Sequence, residues 1–378
     1  MAQGAQGAQG AMEARLRERI AAARQATLGW LATLQAQDAP EGVLRISAAH
    51  DERRWPGMLL PGTYNGLICR HLLDAPALAH GDALISWLLA FRRHDGVFRI
   101  PGMHDGDVFK KPDLEETWRY IDFHVTNYAL GAIDSLDPAP PALLDFVRPW
   151  LDPSWLKAWL CERDLRDPWL EGNNIVNLGS FLLLGQWQGV LPEALVRRAF
   201  DIIFAWHERL QEPATGFWGV GQLSDARACL HAMAGSMHNF HLFYATGREL
   251  PYQDRAIDYA LSRKAGIVSA CIDVDLVDLL VHGHALRDHR RPEIRGWLRT
   301  LLAALLDFQN ADGGFADEPT GMRRQDGWVR GYEEPQGISN TFSTWFRWIA
   351  IAMIAGLFWP GWRRWNFRRM LGIGYLKP

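Results

Sequence analysis

The segment Ser269 to His284, reading SACIDVDLVDLLVHGH, carries two carboxylates, an imidazole and a thiol at helical spacing. At 100° per residue, Cys271, Asp275, Asp278 and His282 fall within about 60° of one another, while Val274, Val277, Leu280 and Val281 cover the opposite side. A polar stripe on an otherwise apolar helix faces either solvent or an internal cavity. In a poorly hydrated cavity two neighbouring carboxylates cannot both ionise cheaply, so one keeps its proton and becomes a general acid. Asp275 is the expected acid, with Asp278 and His282 supporting it. Asp273, placed at or near the N-cap, satisfies amides of the first turn. Asp275, Asp278 and His282 at i, i+3 and i+7 also suit a divalent ion. The bland alternative is a solvated acidic face, or carboxylates that satisfy helix ends; the surrounding Cys, Leu and Val count against it.

The elements that must position this stripe show in an internal repeat. TYNGLICRHL at Thr63, HVTNYALGAI at His124, NNIVNLGSFLLL at Asn173, MHNFHLFY at Met237 and SNTFSTWF at Ser339 each set an asparagine among apolar residues. Asn65, Asn127, Asn177 and Asn239 follow one another at gaps of 62, 50 and 62 residues, and the acidic helix and Asn340 continue the series. Between them, Asp82 to Arg93, Pro140 to Trp150, Leu191 to Leu210, Pro251 to Lys264 and Pro292 to Phe308 have a one-sided apolar period. Glycine-aromatic turns precede several of the asparagine helices: Gly96-Val97-Phe98, Gly216-Phe217-Trp218 and Gly313-Gly314-Phe315. Alternating β-branched runs are missing. The pattern predicts an all-α fold, a single (α/α)6 toroid over residues 13–358 whose inner helices face a central cavity and whose outer helices shield them.

In that arrangement the inner stripes define a pocket. Tyr120, His124 and Asn127 share one side, as do Asn173, Asn177 and Ser180. Met237, His241 and Tyr244 form a third row, and Asn340, Thr344 and Arg347 a fourth. Trp118, Trp218 and Trp345 are expected as walls. Taken singly, His124, His238 and His241 read as packing histidines, and the asparagines as ties between neighbouring helices.

Composition bounds the rest. With 378 residues and 48% hydrophobic content the chain supports a large core. A formal charge of −3 supplies no basic field for nucleic acid. Cys69, Cys161, Cys229 and Cys271 lack metal or disulfide spacing, which fits a reducing, cytoplasmic setting. Residues 1–12, a repeat of Ala-Gln-Gly without a secretory pattern, read as a disordered tail. Trp345 to Pro360 is apolar but contains Arg347, and reads as a buried helix rather than a membrane span. Residues 359–378 interleave Trp359, Trp362 and Trp365 with Arg363, Arg364, Arg368 and Arg369. Such a segment suits peripheral membrane contact or a partner surface, or packs along the outside with its arginines solvated. Lys110 and Lys111 stand where a diphosphate would meet the cavity mouth, although a solvated loop is the plainer reading.

Gln211 to Trp218, QEPATGFW, and Gln309 to Phe315, QNADGGF, resemble the Q-x(2 to 5)-G-x-W repeats of terpenoid cyclases, which protein prenyltransferase β subunits echo. The second segment carries Phe315 where the repeat has tryptophan. The resemblance implies the α/α toroid and an isoprenoid substrate. Asp273-Val274-Asp275-Leu276 resembles the first three positions of the D-x-D-D motif, in which the middle aspartate protonates an alkene or epoxide. Leu276 departs at the fourth, and Asp278, one turn on, stands in for the missing acid. The zinc site of the prenyltransferases does not carry over, because Cys271 and Asp273 come in reversed order and Ser339 to Ala355 lacks histidine. The resemblance thus implies a cyclase or isomerase that needs no cofactor. Because similar toroids serve glycoside hydrolases, polysaccharide lyases and sugar epimerases, a carbohydrate-active enzyme and a non-catalytic toroid subunit stand as alternatives.

Overall fold

Helix type follows burial along this chain. The computed structural model describes residues 2–103, 114–136, 139–221, 223–319, 323–324 and 332–374. In order, the helices are α1 (Ala2–Thr33), α2 (Leu59–Leu72), α3 (Gly81–Leu89), α4 (Leu114–Asp134), α5 (Pro153–Cys161), α6 (Pro168–Trp187), α7 (Glu193–Leu210), α8 (Ala226–Thr246), α9 (Gln253–Ser262), α10 (Ala270–Leu286), α11 (Arg291–Asp307) and α12 (Thr341–Phe358). A two-residue antiparallel pair, β1 (Arg323–Arg324) and β2 (Glu333–Glu334), is the strand structure among the described residues. The even-numbered helices pack each on the next, and α12 packs back on α2, which closes an inner ring of six. The odd-numbered helices lie outside: α3 on α4, α7 on α6 with α5 against α7, α9 on α10, α11 on α10 and α12, and α1 across α11 and α12. This is the double ring that the repeat predicts.

The two layers have different sequences because they meet different surroundings. In α7 the buried residues Val196, Ala199, Phe200, Ile203, Phe204 and His207 recur at helical spacing, while charged positions face out. In α6 nearly every residue from Leu170 to Gly185 is buried, since both faces of an inner helix are covered. Gly172 meets Gly235, and seven residues on in each helix Gly179 meets Leu242, so α6 and α8 run parallel. A Cβ on Gly235 would stand 2.0 Å from the Pro168 carbonyl oxygen, so the close approach requires glycine there. Side-chain caps fix where the helices start: Asp167 for α6, Asp225 for α8, Ser269 for α10 and Asn340 for α12.

The two glutamine-bearing segments tie neighbouring outer helices together. Gln211 Nε2 donates to the carbonyls of Gly216 (2.7 Å) and Pro251 (3.0 Å), and Trp218 Nε1 donates to His207 O at 2.7 Å. Gln309 Nε2 donates to Ala23 O (2.9 Å) and Gly313 O (2.8 Å), tying the end of α11 to α1.

Four expectations change. Residues 2–12 are not a disordered tail: α1 begins at Ala2, and alanine and glutamine are strong enough helix formers to carry the repeat's glycines. Pro140 to Trp150 is not an outer α-helix. It holds a 3-10 stretch, Asp145–Leu151, because Pro149 removes a backbone donor, and the outer helix of that pair is α5, capped by Asp152. Asp273 does not cap α10, a task that falls to Ser269. The Trp/Arg segment lies outside with solvated arginines only in part: Arg364 and Arg369 are exposed, Arg369 pairing with Asp134, whereas Arg368 is buried inside the ring. Helix α12 is long and apolar enough to cross a membrane by length and composition, yet 83% of it is buried in the fold. Lys110 and Lys111 lie outside the described residues.

Candidate active site

Three inner helices bring the acidic stripe together. Asp278, fully buried on α10, receives His241 Nε2 from α8 at 2.9 Å and His282 Nδ1 at 2.8 Å, both on Oδ1. Its Oδ2 accepts the Gly374 amide at 3.1 Å. Burial alone would raise this carboxyl, but the two imidazoles reverse the shift and hold it below the usual carboxylate range. Burial also lowers the proton affinity of His241, against the pull of Asp278. Tyr244 stacks on His282 at 4.2 Å with an 11° interplanar angle, and its hydroxyl accepts from Gln253 Nε2 at 3.3 Å.

Asp275 lies three residues before Asp278 on the same side of α10, fully buried, and neither of its oxygens has a hydrogen-bond partner. Burial first, then the neighbouring Asp278 and Asp273 carboxylates, raise its proton affinity well above the usual range. One carboxyl is therefore held low and met by three donors, while the other is pushed up and has no partner. Such divergence within a pair is how proteins assign acid and base roles.

Asp273 belongs to a different cluster. Arg347, fully buried on α12, pairs with it and also donates to Asp317 O at 2.6 Å. Both Asp273 oxygens accept the Val268 amide at 3.1 Å. Burial raises the Asp273 carboxyl, with Arg347 acting against that shift. The Asp273–Arg347 pair locks α10 to α12, and neither side chain lies open as a substrate contact.

The other inner rows bond to one another. Asn127 Nδ2 donates to Asn177 Oδ1 at 2.6 Å, Asn177 Nδ2 lies 3.3 Å from His124 Nδ1, and Tyr128 Oη lies 3.2 Å from His124 Nε2. Tyr120 lies over His124 with ring centroids 5.2 Å apart. Asn173 donates to Trp169 O in the previous turn at 2.9 Å. Trp345 meets Tyr128 edge to face at 5.2 Å, and half-buried Trp118 has the Arg99 guanidinium 4.4 Å over its ring. Two expected pocket residues are elsewhere. Trp218 packs between α7 and α8, 4.6 Å from the His207 ring, because its indole N–H must reach a carbonyl at the layer boundary. Asn340 caps α12 through Ser343 N at 2.7 Å and donates to Glu334 Oε2 at 2.9 Å.

His241, Asp278 and His282 also present ligand atoms within 4.8 Å of one another, a set able in principle to hold a divalent ion. Here His282 Nδ1 lies 3.0 Å from the carbonyl of Asp278 in its own helix, which requires a proton on that nitrogen. That bond leaves Nε2 as the ring atom His282 could offer a ligand, while His241 Nε2 is engaged with Asp278 Oδ1.

Sequence reasoning missed the segment 370–374, which reaches this site through Gly374. Its signal was present in the alternation of apolar residues and glycine, Met370-Leu-Gly-Ile-Gly374, after the arginines.

No family model matches the chain, and no curated protein matches it. Among solved structures it is similar to the type II terpene cyclase MstE from Scytonema. One MstE variant, bound to its substrate geranylgeranyl dihydroxybenzoate, shares 12% identity over 91% of this chain and 99% of the other, at a TM-score of 0.49. A second, bound to its product merosterolic acid A, shares 12% identity over the same extents at 0.48. What this chain does is argued from its own site.

Proposed function

We propose that the chain is an acid-initiated cyclase or isomerase of an isoprenoid substrate, with Asp275 as the proton donor. The observation that carries this reading is the fully buried Asp275, whose oxygens have no hydrogen-bond partner, one turn from an Asp278 held by two histidines. Burial and the neighbouring carboxylates raise its proton affinity well above the ordinary carboxyl range, which suits a proton donor. In the reaction that proton passes to one carbon of an alkene, or to an epoxide oxygen. The π electrons form the new C–H bond, or the C–O bond breaks, and positive charge develops on carbon. The carboxylate left behind is stabilised by that nearby positive charge, and ring faces such as those of Tyr120 and Tyr244 stabilise the cation as it moves along the chain. Asp278, with its three donors, keeps the electrostatic pressure on Asp275.

The alternative of a sugar substrate needs inner-ring groups free to bind hydroxyls. Asn127, Asn177 and Ser180 instead bond to one another and to the chain's own backbone. This observation favours a hydrocarbon.

The test is incubation of the purified full-length protein with prenyl diphosphates, prenylated aromatics and squalene-like polyenes, with products read by gas chromatography and mass spectrometry. A cyclised product that disappears in Asp275→Asn is expected. Absence of product from every substrate, or turnover unchanged in the variant, overturns the reading.

A further inference from the structure

Residues 368–374 lie where a ring of six helices would otherwise be hollow. After α12 the chain crosses the ends of α2 and α4, where Asn366 Nδ2 donates to His71 O at 3.1 Å and Arg369 pairs with Asp134. Arg368 and residues 370–374 are turned inward and buried. All six inner helices meet them. Asn127 of α4 donates to Leu371 O at 3.0 Å, and Ser180 of α6 accepts Leu371 N at 2.8 Å. His238 of α8 bonds Gly372 O, and Asp278 of α10 accepts Gly374 N at 3.1 Å. Ile349 of α12 packs on Gly374, and Ile68 of α2 lines a void of about 10 Å3 with Ile373 and Gly374, the size of one water. A stretch that meets every member of the ring sits on its axis. Asp278 is covered by it, and Asp275, one turn along the same face, is 0% exposed, so neither carboxyl is open to a substrate in this conformation.

The ring does not need this segment for its own closure, because the inner helices pack each on the next around the full circle. Most of the polar side chains that hold it have second partners. Asn127 also donates to Asn177 at 2.6 Å, Ser180 donates to Asn127 Oδ1 at 3.2 Å, and Asp278 keeps both histidines. The segment, by contrast, is lightly held by its backbone. Among the described residues no main-chain to main-chain hydrogen bond reaches 367–374, and its peptide groups are met by side chains. Arg368 enters the ring with Nε and Nη1 unpaired, and buried donors without acceptors favour a return to water. Against this stand Met370, Leu371 and Ile373, each at most 1% exposed, whose apolar burial keeps the segment in place. That contribution is non-directional, so another apolar chain can supply it. The space these residues fill is on the order of a small-molecule site, roughly 300–1,000 Å3.

We propose that residues 368–374 are an autoinhibitory plug: the segment holds the axis of the ring in place of substrate, and an apolar chain gains the acidic face of α10 by displacing it. The ring then exchanges its contacts with Met370, Leu371 and Ile373 for contacts with the ligand. Asp278 gives up the Gly374 amide and keeps His241 and His282. The ligand class rests on the isoprenoid reading above, whereas the movement of the plug does not.

Both parts are tested on the full-length protein. Leu371→Cys places a thiol that iodoacetamide reaches only when the plug withdraws, and buried Cys69 in the same chain reports global unfolding. Peptide mass spectrometry should find position 371 alkylated at least tenfold faster than Cys69. Equal rates mean that the segment leaves only as the whole protein unfolds, which overturns the plug; Ile373→Cys repeats the reading should the first variant fail to fold. Gly372→Ala adds a second arm. The nearest atoms to its new methyl group stand 3.6, 3.7 and 3.9 Å away, so nothing clashes, but φ 121° disfavours any side chain and weakens the docked state. Alkylation at position 371 should rise at least fivefold. Affinity for phytanol, a saturated isoprenoid alcohol with no alkene to protonate, should rise with it. Gly189→Ala, at an exposed glycine with φ 71°, applies backbone strain elsewhere and should change neither. Bound phytanol should itself speed alkylation at position 371. Slower alkylation on binding, or no gain in affinity in Gly372→Ala, overturns the displacement. Absence of phytanol binding to both the wild type and Gly372→Ala overturns the isoprenoid reading, while fast alkylation at position 371 still establishes a segment that withdraws.

Discussion

Replacing Asp275 by asparagine separates a proton-holding acid from a merely buried one, because the two differ in how stability depends on pH. Asp275 has a folded-state proton affinity raised above its unfolded value of 3.8. Above that pH the unfolded chain has released the proton while the folded chain retains it. The folded state thus binds more protons, and stability falls as pH rises until the buried carboxyl itself ionises. One such group contributes a slope of up to about 1.4 kcal/mol per pH unit. Asparagine removes the titration at nearly constant shape. Its amide also lacks partners in that site, which shifts the variant's curve by a constant and leaves its slope untouched. Subtracting the two curves cancels every other titrating group. As pH rises above the ordinary carboxyl range the variant should therefore gain on the wild type, with a slope of up to about 1.4 kcal/mol per pH unit for as long as the buried carboxyl keeps its proton. Urea denaturation at successive pH values, followed by tryptophan fluorescence, measures the difference. Parallel curves would mean that Asp275 ionises as it would in water, and the proton-donor proposal would fall with it.

Other perturbations probe the supports of the site. Arg347→Met leaves the buried Asp273 carboxylate without its cation and should cost about 3–5 kcal/mol in chemical denaturation, with Asp273→Asn in the same chain restoring part of the loss. Burial lowers His207 to about 4, despite a bond to Ile203 O, so the unfolded chain takes up a proton below 6.5 that the folded chain refuses. Stability conferred by this group should be full above pH 6.5 and fall by about 3 kcal/mol as pH drops to 4, a loss absent from His207→Gln. Gly235→Ala would drive a methyl group into the Pro168 carbonyl and should cost about 1–3 kcal/mol through displacement of α6 from α8, read as a lowered melting temperature.

The repeat of asparagine-bearing helices gave the architecture because it records a physical constraint. A helix covered on both faces can carry polar groups only where a neighbour satisfies them, and Asn127 bonding Asn177 across α4 and α6 is that constraint at work. The acidic stripe was legible for the same reason, since Asp275 and Asp278 share a face by helix geometry alone. What helical periodicity cannot convey is which side chain answers which. Asp273 and Asp275 are two residues apart and look alike in sequence, yet one meets Arg347 from α12 and the other meets no donor. Trp218 shows the same limit: the turn around Gly216 was visible, but the distant carbonyl that draws its indole N–H out of the pocket was not. The C-terminal segment escaped because arginine and tryptophan together suggest a surface, and its burial depends on rings contributed by α4 and α12.

Those rings bear on the chemistry. The Arg368 guanidinium lies over the faces of Tyr128 and Trp345 at 5.0 and 5.1 Å and donates to Leu371 O at 3.2 Å. No carboxylate among the described residues pairs with it. Burial lowers Arg368 only to about 10, so it remains a cation at neutral pH. A buried charge without a counter-ion costs several kcal/mol unless something replaces water around it. Here aromatic faces do so, at about 2 kcal/mol or more each when desolvated. The inner ring therefore already holds one permanent cation by the same interaction that a transient carbocation would require. A ring lined this way tolerates positive charge away from water, which is what the proposed protonation by Asp275 would ask of it.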